Sequence, residues 1–171
     1  MKEERYKLLV GQIASLIEGE RDTIAVMSNV VAAIHQAMGF WWTGFYRVVD
    51  DEGLHDVATN GTQESRARAD EKSSEVLVLG PFQGPVACMR IPYGKGVCGT
   101  AWQRGETVVV PDVEQFPGHI ACSSESKSEI VVPVFGNDGS VVAVLDIDSE
   151  HLDAFDDVDR KYLEEICKLV K

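Results

Sequence analysis

No apolar stretch in this chain approaches the roughly 18 residues that a membrane span requires. The first residues, Met-Lys-Glu-Glu-Arg-Tyr-Lys, lack the apolar segment of a secretion signal. These two absences predict a cytoplasmic protein. Positive charge is scarce as well: 16 Lys and Arg stand against 28 Asp and Glu, a net charge of −12. Such a chain has little with which to neutralise phosphates, so nucleic acid is excluded as a partner. The same charge would be repelled by an anionic membrane surface. There is no internal repeat and no domain linker. What is present, 171 residues at 44% hydrophobic and 26% charged, predicts a single domain over 1–171 with a proper core.

Apolar periodicity then divides the chain. Tyr6, Leu9, Ile13 and Leu16/Ile17 form a helical stripe within 2–18. Asp22 or Thr23 caps a second helix that carries Met27, Val30, Val31, Ile34 and Met38 and stops at Gly39. The texture turns aromatic and β-branched over 40–49, which predicts a strand. Residues 50–74 are polar and charged and predict a long, mobile hairpin excursion. Strands are expected at 75–79 and 86–91, a short helix at 96–103 and a strand at 107–110. Residues 111–128 read as loop, 129–135 and 140–148 as a hairpin. Asp156 or Asp157 caps a last helix bearing Val158, Tyr162, Ile166 and Leu169. Helices, then strands, then a helix indicate an α+β fold, with helices on one side of a mostly antiparallel sheet. The stripes of the terminal helices would also suit a homodimer face.

Three cysteines occupy the middle of the chain: Cys88 in Gly-Pro-Val-Ala-Cys-Met-Arg, Cys98 in Gly-Lys-Gly-Val-Cys-Gly-Thr, and Cys122 in Gly-His-Ile-Ala-Cys. In a reducing compartment such thiols do redox chemistry, bind metal or fill a core. None forms a C-x-x-C pair, which disfavours structural zinc, although a Cys₃His site using His119 stays open. The Gly-rich helix start around Cys98 predicts a favoured thiolate there. Cys122 sits among polar residues, poor core material. Cys167 lies beside Leu163 and Val170 and reads as packing.

Acids and aromatics supply further candidates. Alternation places Asp146 and Asp148 on one strand face with Val142 and Val144, while Leu145 and Ile147 point the other way. Two carboxyls sharing a partly buried face repel, so one holds its proton to unusually high pH or the pair binds a cation. Glu129, opening the neighbouring strand, is positioned to join them. Trp42 and Tyr46, four apart on one strand, share a face and form either core or a wall for a small apolar or sulfur-containing group. Solvated turn-capping acids and core aromatics are the plainer alternatives.

These residues also stand in a larger pattern. Trp42-x-Gly44-Phe45-Tyr46, Leu79-Gly80-Pro81-Phe82-Gln83-Gly84 with Cys88, Gly94-x-Gly96-Val97-Cys98-Gly99-Thr100-Ala101, Gly118-His119-Ile120-Ala121-Cys122, Ser128-Glu129-Ile130-Val131 and Val144-Leu145-Asp146-Ile147-Asp148-Ser149 resemble the free methionine-(R)-sulfoxide reductases, single-domain enzymes of the GAF fold. The stretch 50–74 is longer than in compact members. The resemblance implies a GAF-like fold and reduction of free L-methionine (R)-sulfoxide. It implies Cys122 as nucleophile, Cys88 as resolving residue and Cys98 as a secondary partner. Asp146, Asp148 and Glu129 would supply the proton and a seat for the substrate ammonium. Trp42 and Tyr46 would hold the S-methyl group, and backbone N–H groups around Cys122 the substrate carboxylate. A disulfide reduced by thioredoxin would close the cycle, with no bound cofactor and no metal. A sensor of GAF type that binds a ligand without turnover, and a zinc-bound structural domain, are the competing readings.

Overall fold

The computed structural model describes residues 1–51, 74–120 and 124–170. Residues 52–73 of the excursion expected at 50–74, and Cys122 with its two neighbours, therefore lie outside the described residues. The elements run α1 (Lys2–Leu16), α2 (Thr23–Met38), β1 (Trp42–Asp50), β2 (Glu75–Gln83), β3 (Arg90–Pro92), α3 (Gly96–Arg104), β4 (Val108–Val110), a 3₁₀ turn (Val113–Gln115), β5 (Ser128–Phe135), β6 (Val141–Ser149) and α4 (Asp157–Cys167). The strands form one sheet in the order β3-β2-β1-β6-β5-β4, each described pair antiparallel. Among the described residues no helix is long and apolar enough to cross a membrane.

The helix ends follow from capping chemistry. Asp22 accepts a hydrogen bond from Ala25 N, and Gly39 closes α2 in the left-handed conformation at φ 73°. Asp156 accepts from Val158 N and Asp159 N, and the Asp159 side chain returns the bond to the Asp156 backbone, a capping box. Asp159 is fully buried and also takes the Tyr6 hydroxyl at 2.8 Å and the Lys2 ammonium, tying α1 to α4.

Alternation along the central strands gives the sheet two buried faces. Phe45, Leu145 and Ile147 point into a core made with Tyr6, Leu9, Ile13, Val30, Ile34, Leu163 and Ile166 of α1, α2 and α4. Cys167 packs in this core as expected, whereas Leu16 turns out to be 53% exposed. Trp42, Tyr46, Val131 and Val144 point the other way, against Val97, Cys98, Ala101 and Trp102 of α3. The terminal helices share one side, but α3 covers the opposite one. The short apolar stripe of α3 gave no sign of which face it would choose.

Two strand assignments change. β2 continues to Gln83, through Gly80 and Pro81, because it lies between β1 and β3 and its partner strand β1 is long enough to hold it. The expected strand at 86–91 shrinks to Arg90–Pro92. Val86 is 87% exposed and Cys88 lies in an irregular segment, since the Gly84-Pro85 pair turns the chain out of the sheet.

Candidate active site

The α3-covered face of the sheet carries the acids. Cross-strand register places Trp42 opposite Asp148, Asp148 opposite Glu129, and Glu129 opposite Val110. In the next row stand Gly44, Asp146 and Val131. Residues so paired project to the same side, so the alternation pattern alone brings the indole and three carboxyls together. They line one cavity with Tyr46, Cys98, His119 and Ser126.

The aromatic wall is held by glycines and backbone. The Trp42 ring lies over Gly44, where an added Cβ would come within 2.3 Å of the indole and 2.6 Å of Phe82 Cβ. Trp42 stacks on Phe82 at 5.6 Å and on Tyr46 at 6.1 Å between centroids. Its Nε1 donates to the Pro85 carbonyl at 3.0 Å. Gly84, at φ 128°, passes so close that a Cβ would meet Trp42 Cδ1 at 2.6 Å. The Tyr46 hydroxyl donates to the Cys88 carbonyl at 2.9 Å. The wall thus also positions the Cys88 segment.

Burial governs the electrostatics. Glu129 and Asp146 are 6% and 7% exposed, and no Lys or Arg lines the cavity among the described residues. Burial, then the Asp146 and Asp148 charges, pushes the Glu129 carboxyl well above its ordinary range. Burial and Asp148 do the same to Asp146. Asp148 is pushed up to about 6 by burial, while a hydrogen bond from Ser126 Oγ at 2.5 Å pulls the other way. As a set these carboxyls keep protons near neutral pH that isolated ones would lose. Desolvation lowers the pKa of His119, whose Nε2 is 3.7 Å from Glu129 Oε2.

The cysteines separate into different roles. Cys98 is 3% exposed at the start of α3, and burial together with the Asp146 and Glu129 carboxyls pushes its thiol well above the ordinary value. The favoured thiolate expected there is corrected. The helix N-terminus is outweighed by desolvation and like charge, neither of which a local motif displays. Cys88 is disulfide-bonded, whereas Cys98 and Cys167 are free thiols. Cys88 does not line the cavity, but Val86 and Ala87 just before it do. Cys122 lies outside the described residues. His119 and Ile120 before it and Ser126 after it line the cavity.

The structure therefore gathers Trp42, Tyr46, Cys98, Glu129, Asp146 and Asp148 around one cavity, with Cys88 at its margin. Sequence reasoning missed Ser126 as a partner of Asp148 and Trp41 as a lining residue. Ser126 falls in a run of serines whose local pattern distinguishes none of them. Trp41 falls inside the expected strand 40–49, where alternation turns it away from the face of Trp42, but the strand begins only at Trp42.

A family model described as GAF domain matches residues 20–171. Among curated relatives, GAF domain-containing protein A of Dictyostelium discoideum is 49% identical over 99% of this chain and 92% of its own length. A free methionine-R-sulfoxide reductase of Saccharomyces cerevisiae is 40% identical over 99% of this chain and 85% of its own length. Among solved structures, a free methionine-R-sulfoxide reductase from Neisseria meningitidis in complex with its substrate superposes with a TM-score of 0.82 at 45% identity. It covers 99% of this chain and 88% of that one.

Proposed function

The chain belongs to the GAF-domain family of free methionine-R-sulfoxide reductases, and from that premise we propose that it reduces free L-methionine (R)-sulfoxide through a nucleophilic Cys122. The observation that carries this reading is the convergence of the Trp42 ring with Glu129, Asp146 and Asp148 on one cavity. A methyl sulfoxide needs those partners: an apolar wall for its methyl group and an acid for its oxygen. Sulfoxide oxygen leaves poorly unless protonated, so a carboxyl kept neutral near pH 7 serves the step. The raised values of Glu129, Asp146 and Asp148 support that role. An ionised member of the same set, in a lining without Lys or Arg among the described residues, suits the substrate ammonium.

In the proposed cycle the Cys122 thiolate attacks the sulfoxide sulfur and a cavity carboxyl protonates the oxygen. The oxygen passes to Cys122 as a sulfenic acid, and methionine departs two electrons richer. The Cys88 thiol then attacks the sulfenic sulfur, forming the Cys88–Cys122 disulfide and releasing water. Cys88 is disulfide-bonded, whereas Cys98 and Cys167 are free thiols; the pairing of Cys88 with Cys122 belongs to the proposal. An external dithiol, thioredoxin by our reading, restores both thiols by exchange. Cys98, buried with a raised thiol pKa, is a poor primary nucleophile and keeps a secondary role. A reducing cytoplasm suits a cycle that must end with free thiols.

Single-turnover reduction with separated R and S sulfoxides, free and peptide-bound, tests the reading. Stoichiometric methionine from the free R isomer alone is expected. Equal yields from the S isomer or the peptide would overturn it.

A further inference from the structure

The cavity floor also makes a donor set for a metal ion. Cys98 Sγ, a Glu129 carboxylate oxygen and an Asp146 carboxylate oxygen all lie within 4.8 Å of one another. All three residues are more than nine-tenths buried. The Asp146 side chain shares hydrogen bonds with Cys98 and Glu129, yet its Oδ1 is buried with no hydrogen-bond partner, on a side chain that lines the cavity. A buried acceptor left unpaired is costly unless the site is built to receive something. Neighbouring ligand atoms around tetrahedral zinc stand about 3.5 Å apart, given the usual metal–sulfur and metal–oxygen distances. Torsional shifts of about an ångström close the set around such an ion. His119 Nε2 lies 3.7 Å from Glu129 Oε2, outside the three-donor set, and stands at its edge.

We propose that Cys98, Glu129 and Asp146, with His119 at their edge, form a reversible inhibitory site for a thiophilic divalent cation of the Zn²⁺ and Cd²⁺ class. Binding displaces the thiol proton of Cys98 to solvent and forms a metal–sulfur bond, with no change of oxidation state. Mixed sulfur and carboxylate donors select such ions over Mg²⁺ and Ca²⁺, which take six or more oxygens. A metal overcomes the reluctance of a buried thiol to ionise, because a coordinated thiol is deprotonated outright. The ion takes the carboxyls that the proposed function gives to substrate, so the two exclude each other. That exclusion rests on the proposed function, whereas the metal site does not.

The test uses the oxidised protein, in which Cys88 is held in its disulfide. Titration with Cd²⁺ is followed by the ultraviolet charge-transfer band of a cadmium thiolate. One band per chain is expected, absent in Cys98→Ser and retained in Cys167→Ser, with Zn²⁺ displacing Cd²⁺. Asp146→Asn and Glu129→Gln keep the band and weaken Cd²⁺ binding at least tenfold. X-ray absorption of the zinc-loaded wild-type protein should show one sulfur among nitrogen and oxygen ligands, whether or not a variant folds. A missing band, or one that survives in Cys98→Ser, overturns the metal site and leaves the reductase reading intact. Calorimetric titration with methionine R-sulfoxide in the presence of Zn²⁺ completes the test. Unchanged substrate affinity overturns the inhibitory role and, with it, the assignment of the carboxyls to substrate.

Discussion

Trp42 and Asp148 are direct partners across the β1–β6 ladder, so an indole and a carboxyl of raised pKa stand side by side on one sheet face. Asp148 is in turn paired with Glu129 across the β5–β6 ladder. One row of the pleat thus sets an aromatic surface next to two acids, at a spacing fixed by backbone hydrogen bonds rather than by flexible loops. Sites carried on strands hold their geometry tightly. Single substitutions here should act sharply.

Gly44→Ala should damage the wall without touching the acids. Its Cβ would meet the Trp42 ring at 2.3 Å and Phe82 Cβ at 2.6 Å. Overpacking of this kind costs about 1–3 kcal/mol, which urea unfolding would register. Displacing the indole should raise KM for the sulfoxide by roughly an order of magnitude, or about 1.4 kcal/mol. An unchanged KM together with unchanged stability would mean that the Trp42 ring is not held where it lies.

Ser126→Ala should move a pH profile. The hydroxyl pulls the Asp148 pKa down from where burial alone would put it. Removing it lets the value rise, so the falling alkaline limb of methionine formation shifts to higher pH by about one unit. Single-turnover rates between pH 5 and 9 measure this. A limb that stays in place would release Asp148 from proton delivery.

The acid cluster should make the fold less stable as pH rises. Asp148 has a folded pKa of about 6 against an ordinary 3.8, so the native state binds its proton more tightly than the unfolded chain. Stability is then greatest below about pH 4 for this group and is lost as pH climbs through about 6. Glu129 and Asp146, shifted in the same direction, extend the loss to higher pH. Asp146→Asn should therefore raise Tm more at pH 8 than at pH 5, by about 2 kcal/mol in stability at the upper end. Calorimetry at both pH values decides. A Tm gain that does not depend on pH would refute the coupling.

Cys122→Ser should abolish methionine formation, and Cys88→Ser should allow one round and then stall. Rapid-quench measurement separates the two, because the first loses the burst and the second keeps it. Multiple turnovers with thioredoxin after loss of Cys88 would hand resolution to Cys98.

The central face of β6 was legible because alternation is a property of any half-buried strand. Asp146 and Asp148 were expected to share a side with Val142 and Val144; Val144 does, whereas Val142, beside the register shift at Val134/Phe135, is exposed and Val141 packs against that core instead. Glu129 was placed beside them on hairpin logic alone, and the register agrees. The state of Cys98 was not legible. Its Gly-rich entry to α3 looks from the sequence like a thiolate-stabilising terminus, but Glu129 and Asp146 reach it from strands 31 and 48 residues away in the chain. Nor was the fate of 86–91, where the Gly84-Pro85 turn overrode a β-branched local pattern.

Taken alone, the order of residues determined the α+β architecture, the helix caps, the faces of the central strands and the membership of the acid and aromatic groups. Those follow from local periodicity and capping, which act over a few residues at a time. Only the tertiary structure decided which groups touch, which face α3 covers, which carboxyl Ser126 restrains and how far each proton is held. Those depend on the water excluded when distant segments close together, and no short stretch of chain contains that information.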